Sequence, residues 1–79
     1  MYSKSLIKKL STIPTNVEFI VEEILVDKDT KRYLFSLGCY EGEFITVLSH
    51  NYSTFIVVIK DGKYSIDRDL ANNIYVKLK

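Results

Sequence analysis

One cysteine, one histidine, one proline, three glycines and no tryptophan in 79 residues exclude several kinds of protein. A single cysteine cannot close an intrachain disulfide, so the chain is not a disulfide-stapled scaffold. Cys39 and His50 are the only nearby soft ligands, with Met1 remote from both, and no Cys-x-x-Cys or His-x-x-x-His pair occurs. A zinc or iron centre needs three or four ligands at characteristic spacing, so neither a bound metal nor a cofactor is expected. Long apolar runs are missing too. The longest, Phe55 to Ile59, is strand-sized, far short of the roughly 20 residues that span a bilayer. Met1 to Leu10 has lysines but neither the hydrophobic stretch nor the small-residue cleavage site of a secretory signal. These features lead us to expect a cytoplasmic protein without direct membrane insertion, whose membrane association comes only through a partner.

Charge of one sign is also lacking. Eleven basic and ten acidic side chains leave a formal charge of +1, which gives no global field for a polyanion and argues against nucleic acid as a partner. Lys4, Lys8 and Lys9 precede the first acidic residue, Glu18, and read as a solvated arm, being fewer than a polybasic anchor needs. What is present is 47% hydrophobic residues with six Tyr and four Phe, enough for one small folded domain and too much for a disordered chain. The expected division is an N-terminal extension at 1–9, with at most a helical turn around Leu6, Ile7 and Leu10, followed by a domain at 10–79.

Within that domain the patterning is mainly that of strands. Val17, Phe19 and Val21 alternate with Glu18, Ile20 and Glu22, and Ile24 and Leu25 then break the alternation, which predicts a first strand that changes face near its end. Asp27 or Asp29 would cap a short helix carrying Leu34 and Leu37 on its inner face, ended by Gly38 in a left-handed conformation. Gly42 opens the next strand, with Ile45 and Val47 on one side and Phe44, Thr46 and Leu48 on the other. Asp61-Gly62 predicts a two-residue hairpin turn. Counting outward from it pairs Lys60 with Lys63, Ile59 with Tyr64, Val58 with Ser65 and Val57 with Ile66, and puts Phe55, Val57, Ile59, Tyr64 and Ile66 on the core face. A helical turn from Arg68 to Asn72 would bring Leu70 or Ala71 inward before Ile74 to Leu78 forms the last strand. Five short strands with one inserted helix point to an all-β, strongly bent barrel, in which closure removes exposed edges.

The helix ending Leu34-x-x-Leu37-Gly38, the glycine at 42 and the strand after it resemble the FeoA family, small cytosolic proteins associated with bacterial ferrous iron uptake. Ile66, Ala71, Ile74 and Val76 keep the family's C-terminal spacing, and Leu10, Ile13 and Pro14 match its lead-in to the first strand. The resemblance implies a Src-homology-3-like (SH3-like) barrel and, as partner, a FeoB-type ferrous iron transporter met at its cytosolic GTPase or pore-proximal region. Two turn positions depart from the family pattern: Asn16 stands where a glycine is usual, and Gly62 sits one residue late. Cys39, where the family commonly has an aliphatic residue, reads as a small buried apolar side chain.

No residue set carries catalysis. The carboxylate pairs Glu22/Glu23, Glu41/Glu43 and Asp67/Asp69 read as solubilising charges, the first because strand neighbours point to opposite faces. His50 reads as a solvated loop residue, and Arg32 and Arg68 as solvated helical residues, not arginine fingers. No enzyme is therefore expected.

The informative feature lies outside the core. Phe44, Ile56 and Val58, with Tyr75 near them, should face away from it, where polar residues would be expected. They are the first candidates for partner binding, with Tyr40, Tyr52 and Phe35 as aromatic loop candidates. The extension could instead cover this face, and self-association into a homo-oligomer is a third use of the same patch. The expected function is a non-enzymatic interaction module that docks on the transporter and modulates it. The alternatives are a regulatory barrel acting on an iron-dependent transcriptional repressor, whose C-terminal barrel is similar, and a small RNA-binding barrel.

Overall fold

The computed structural model describes residues 6–79 and shows a single antiparallel sheet of six strands, strongly bent around one core. In chain order the elements are β1 (Ile7–Lys9), a 3-10 turn (Leu10–Thr12), β2 (Glu18–Ile24), α1 (Lys28–Leu37), β3 (Phe44–His50), β4 (Thr54–Ile59), β5 (Gly62–Asp67), α2 (Arg68–Ala71) and β6 (Ile74–Leu78). The strands lie in the order β1-β6-β2-β3-β4-β5. The class is all-β, as expected, with one strand more than the five foreseen.

That extra strand comes from the expected extension. Ile7, Lys8 and Lys9 pair with Lys77, Val76 and Tyr75 of β6, and Leu10 is fully buried in the core. Residues 7–10 are therefore ordered by backbone pairing and by one apolar anchor, neither of which a short Lys-rich segment announces. The part of the expected extension at residues 1–5 lies outside the described residues. The barrel is also not closed by hydrogen bonding: among the described residues β1 and β5 remain edges. The 3-10 turn packs against β6 and α2, and its Ser11 hydroxyl donates to the Asn72 side-chain oxygen.

Among the described residues sixteen hydrophobic ones form the core, including Phe19, Val21, Ile24, Leu34, Cys39, Ile45, Val47, Phe55, Val57, Ile59, Ile66, Ala71, Ile74 and Val76. Tyr64, Leu37 and Leu70 pack against it partly buried. The inward sets on β3, β4 and β5 are those the alternation predicts. In β2 the change of face is a bulge between Val21 and Glu23. It puts Glu22 and Glu23 on the same outer side: Glu22 pairs with Lys77 at 3.4 Å, and Glu23 stands opposite Tyr75. This corrects the expectation that the two diverge, because a bulge adds a residue without adding a change of side.

The hairpin register differs from the predicted one. Ile59 faces Gly62, Val58 faces Lys63, Val57 faces Tyr64, Ile56 faces Ser65 and Phe55 faces Ile66, so the two turn residues are Lys60 and Asp61. Lys60 takes the left-handed conformation, φ 54°, and Gly62 does not. Gly62 serves another need: a Cβ there would lie 2.2 Å from the Tyr64 hydroxyl oxygen, so the missing side chain makes room for the tyrosine two residues on, on the same face. The slip is two residues, one full side-chain period, and it leaves every residue on its predicted face.

Positive φ appears where the chain turns hardest. Gly38, at 93°, ends α1, its N–H directed to the carbonyls of Leu34 and Phe35. Asn16 adopts φ 62° and donates its N–H to Val47 at 2.7 Å, so an asparagine takes the left-handed turn that a glycine would otherwise supply.

Candidate interaction surface

Opposite residues in an antiparallel ladder share a face, so the register defines the outer side of the sheet. Ile20 stands opposite Phe44, Thr46 opposite Val58, and Ile56 between Ser49 and Ser65. Phe44, Ile56 and Val58 therefore sit together on the outer side of β3 and β4. Phe44 is 41% exposed, and Ile56 and Val58 are half-buried. Two further residues belong to this patch: Ile20, and Leu48 in the bulge between Val47 and Ser49. Ile20 could not be placed from sequence, because its neighbourhood to Phe44 depends on the pairing of β2 with β3.

The two halves of the outer surface differ. Over β2 and β6 it is laced with ion pairs, Lys77 to Glu22 at 3.4 Å and Lys79 to Glu18 at 2.9 Å. Over β3 and β4 it carries no charge, with Phe44, Leu48, Ile56 and Val58 set around Thr46 and Ser49. Lys79 marks the border, its ammonium 5.3 Å from the centre of the Phe44 ring. No described element lies across the uncharged half. β1 joins the sheet in plane at the far edge, beyond β6 and β2, so residues 6–10 do not cover it.

The aromatic loop candidates fall elsewhere and apart from one another. Tyr40, in the connection from α1 to β3, is half-buried, its ring 5.1 Å from that of Phe35 and 5.5 Å from the Lys60 ammonium. Lys60 also binds Glu43 at 3.1 Å, and the hydrogen bond from this ammonium holds the Glu43 carboxyl below its ordinary range. Glu41, whose own backbone N–H lowers its carboxyl further than Lys31 does, pairs with Lys31 at 3.3 Å. Tyr40 is thus part of a brace joining the end of α1 to the β4–β5 turn. Tyr52 lies near the other end of β4 and is 88% exposed. A strand of this length extends about 20 Å, so one small epitope does not contain both tyrosines.

Arg68 behaves differently from the expected solvated arginine. It is half-buried, donates to the backbone carbonyls of Tyr52 and Asn51, and lies 5.0 Å from the Phe55 ring centre, fastening the β3–β4 loop to α2. Its planar fork matches two carbonyls at once, and the aromatic face covers its apolar side. His50 stacks on the same phenyl ring at 5.0 Å. Arg32 is exposed and pairs with Asp29 at 3.4 Å.

The chemically reactive groups have structural roles. Asp67 caps α2 by accepting from the Leu70 N–H at 2.8 Å. Asp27 stands at the cap of α1, where it accepts from the Thr30 hydroxyl, and that bond lowers its carboxyl. Asp27 is thus the cap residue of the two candidates, but its side chain serves a hydroxyl where an amide was expected. Cys39 is 1% exposed, and burial pushes its thiol up to about 11. Among the described residues no three His, Cys, Asp or Glu side chains converge as metal ligands, and no helix is long and apolar enough to cross a membrane.

With this geometry the chain resembles several solved structures. A crystal structure of the iron uptake regulatory protein FeoA is 25% identical, with a TM-score of 0.82 over 90% of this chain and 96% of that one. The solution structure of FeoA from Chlorobium tepidum is 22% identical, with a TM-score of 0.84 over 90% of this chain and 70% of that one. A manganese-dependent transcriptional repressor is 20% identical, with a TM-score of 0.84 over 92% of this chain; the match spans 42% of the repressor, and the likeness is one of fold. No curated protein sequence matches the chain. The sequence model of the FeoA domain matches residues 8–78, nearly the whole length, and the chain belongs to that family, which is linked to iron uptake.

Proposed function

We propose that this chain is a non-enzymatic docking module of ferrous iron uptake, cytoplasmic, which binds the cytosolic part of a FeoB-type transporter through the outer side of β3 and β4 and modulates it. Family membership supports the iron-uptake setting. The observation that carries docking is the uncharged half of the outer surface: Phe44, Ile56 and Val58, with Ile20 and Leu48, lie around Thr46 on one side of the sheet, where no described element covers them and the core does not need them. The ion pairs over β2 and β6 border the patch on one side, as a polar rim borders the dry centre of an interface. Tyr52 offers a separate, exposed aromatic contact at the β3–β4 loop.

The test is an amide NMR titration of the labelled protein with the transporter's cytosolic domain, with and without a GTP analogue. Shifts centred on Phe44, Ile56 and Val58 support the reading, and their dependence on the analogue reports nucleotide control. A spectrum unchanged at high micromolar partner overturns docking on that domain. The fold shared with a transcriptional repressor supports a second reading, in which the chain binds such a repressor in trans. The same titration with the repressor as partner separates the two.

A further inference from the structure

The sheet has two edges among its described strands, and they differ in what they present. β1 is three residues long, and antiparallel pairing with its own copy about the central Lys8 would oppose two like charges. β5 is twice as long and has no such guard. Its hydrogen-bonding parity follows from the hairpin: the two-residue turn makes Ile59 and Gly62 a bonded pair, and the pattern continues to Arg68, whose N–H donates to Ser53 at 2.9 Å. Gly62, Tyr64 and Ile66 therefore bond to β4. Lys63 and Ser65, both exposed, direct their backbone N–H and C=O groups away from it, as exposed Asp67 does its N–H, while the Asp67 C=O serves the first turn of α2.

The open edge is self-complementary. In antiparallel pairing with a second copy about Ser65, Lys63 stands opposite Asp67, Tyr64 opposite Ile66 and Ser65 opposite itself. Both outer pairs join opposite charges, and the inner pairs set the half-buried Tyr64 ring against an aliphatic side chain. The residues this register opposes as bonded pairs, 63 with 67 and 65 with 65, are the ones with outward backbone groups: Ser65 exchanges both bonds with its copy, and the Asp67 N–H donates to the Lys63 carbonyl. Asp67 can take part because the cap of α2 engages only one of its carboxylate oxygens. A shift of one residue in either direction would lose the bonding parity, and a shift of two would lose both ion pairs.

We propose that a second copy of this chain occupies the β5 edge, antiparallel about Ser65, so that two sheets join across a two-fold axis. The joint sheet turns both outer sides to one face, with the two apolar patches separated by the paired β5 strands and their Lys63 and Asp67 side chains. This inference stands independently of the docking reading, since it concerns an edge and not a face.

Sedimentation of the full chain from micromolar to millimolar concentration tests it. The expected result is a mass that rises toward twice the protomer, with the amides of Lys63, Ser65 and Asp67 shifting with concentration. Lys63→Glu puts like charges opposite Asp67 and should weaken association at least about ten-fold. Ser65→Pro removes the central donors, at an edge position where proline is tolerated, and should abolish association. Asp67→Lys should also weaken association, and an equimolar mixture with Lys63→Glu should restore it, because each copy then meets its opposite charge. Should Asp67→Lys fail to fold after losing the α2 cap, the first two variants decide. A monomer at millimolar concentration overturns the proposal. So does a dimer that survives both Lys63→Glu and Ser65→Pro, or a mixture of folded variants that associates no better than either alone.

Discussion

The five consecutive apolar residues of β4 meet two different fates. Phe55, Val57 and Ile59 are at most 1% exposed and belong to the core; Ile56 and Val58 lie half-buried on the other side, with no described element above them. Their hydropathy is nearly the same, so composition alone cannot tell the faces apart. What separates them is the alternation of side chains along a strand, fixed by the hairpin and by which side of the bent sheet encloses the core. Apolar content beyond what one small core can absorb becomes surface chemistry: part of it lies on the outer side of β3 and β4, while Leu25, Tyr33, Phe35, Tyr52 and Leu78 are exposed elsewhere.

A charge on the inner face should produce the largest effect. Val57→Asp buries a carboxylate among apolar neighbours with no partner, a cost on the order of 3–5 kcal/mol, against a total stability of roughly 5–15 kcal/mol for a domain. Urea unfolding followed by circular dichroism should find this variant largely unfolded or barely folded. A cooperative transition at the wild-type midpoint would mean that Val57 does not face the core.

The faces of β3 and β4 also depend on how the chain enters β3, which α1 and its terminal glycine control. Gly38 sits at φ 93°, with the Lys60 stem 3.0 Å from where a Cβ would lie. Gly38→Ala should cost about 1–2 kcal/mol through left-handed strain, the flexible lysine stem adding little. Gly42→Ala has a similar φ but open space around it, and should cost no more than Gly38→Ala. If Gly42→Ala is instead the more damaging change, entry into β3 is set at the strand and not at the helix end.

Val58→Glu is the counterpart of Val57→Asp one residue away. Its side chain points outward and can reach water, so stability should change by less than about 1 kcal/mol while binding to the transporter's cytosolic domain is lost. The pair is most informative when measured together. Equal destabilisation by both charges would remove the distinction between the two faces and, with it, the docking surface.

Much of the fold was legible because its signals are local. The alternation in β3 and β4, the glycine that ends α1, and the apolar pair Leu34 and Leu37 each need only a few neighbouring residues to be read. The hairpin was recognised but misregistered, since Asp61-Gly62 looks like a turn that needs positive φ, whereas Gly62 is required to clear the Tyr64 ring and Lys60 takes the left-handed position. β1 was missed because pairing between Ile7–Lys9 and the C-terminal strand is a contact across most of the chain length. The same limit hid Ile20 from the outer patch and the bulge that turns Glu22 and Glu23 to one side. Arg68 read as solvated for a related reason: the two carbonyls it holds lie on a loop 16 and 17 residues away.

The smallest effect concerns the hairpin end of β4, where Lys60 leaves the strand and pairs with Glu43. The bond from Lys60 lowers the Glu43 carboxyl from 4.5, and the same bond raises the Lys60 ammonium from 10.5. A depressed carboxyl contributes stability above its unfolded value and loses it as pH falls through its folded one. A raised ammonium contributes below its unfolded value and loses it as pH rises through its folded one. The pair therefore acts between the acidic and alkaline limbs and weakens outside them, and solvent and salt keep the contribution small. Carboxyl-carbon NMR should find Glu43 titrating below 4.5 in the wild type and moving back toward it in Lys60→Met. If the midpoint does not move, the pair contributes nothing, and the backbone turn at Lys60 and Asp61 is sufficient to hold the hairpin against the end of α1.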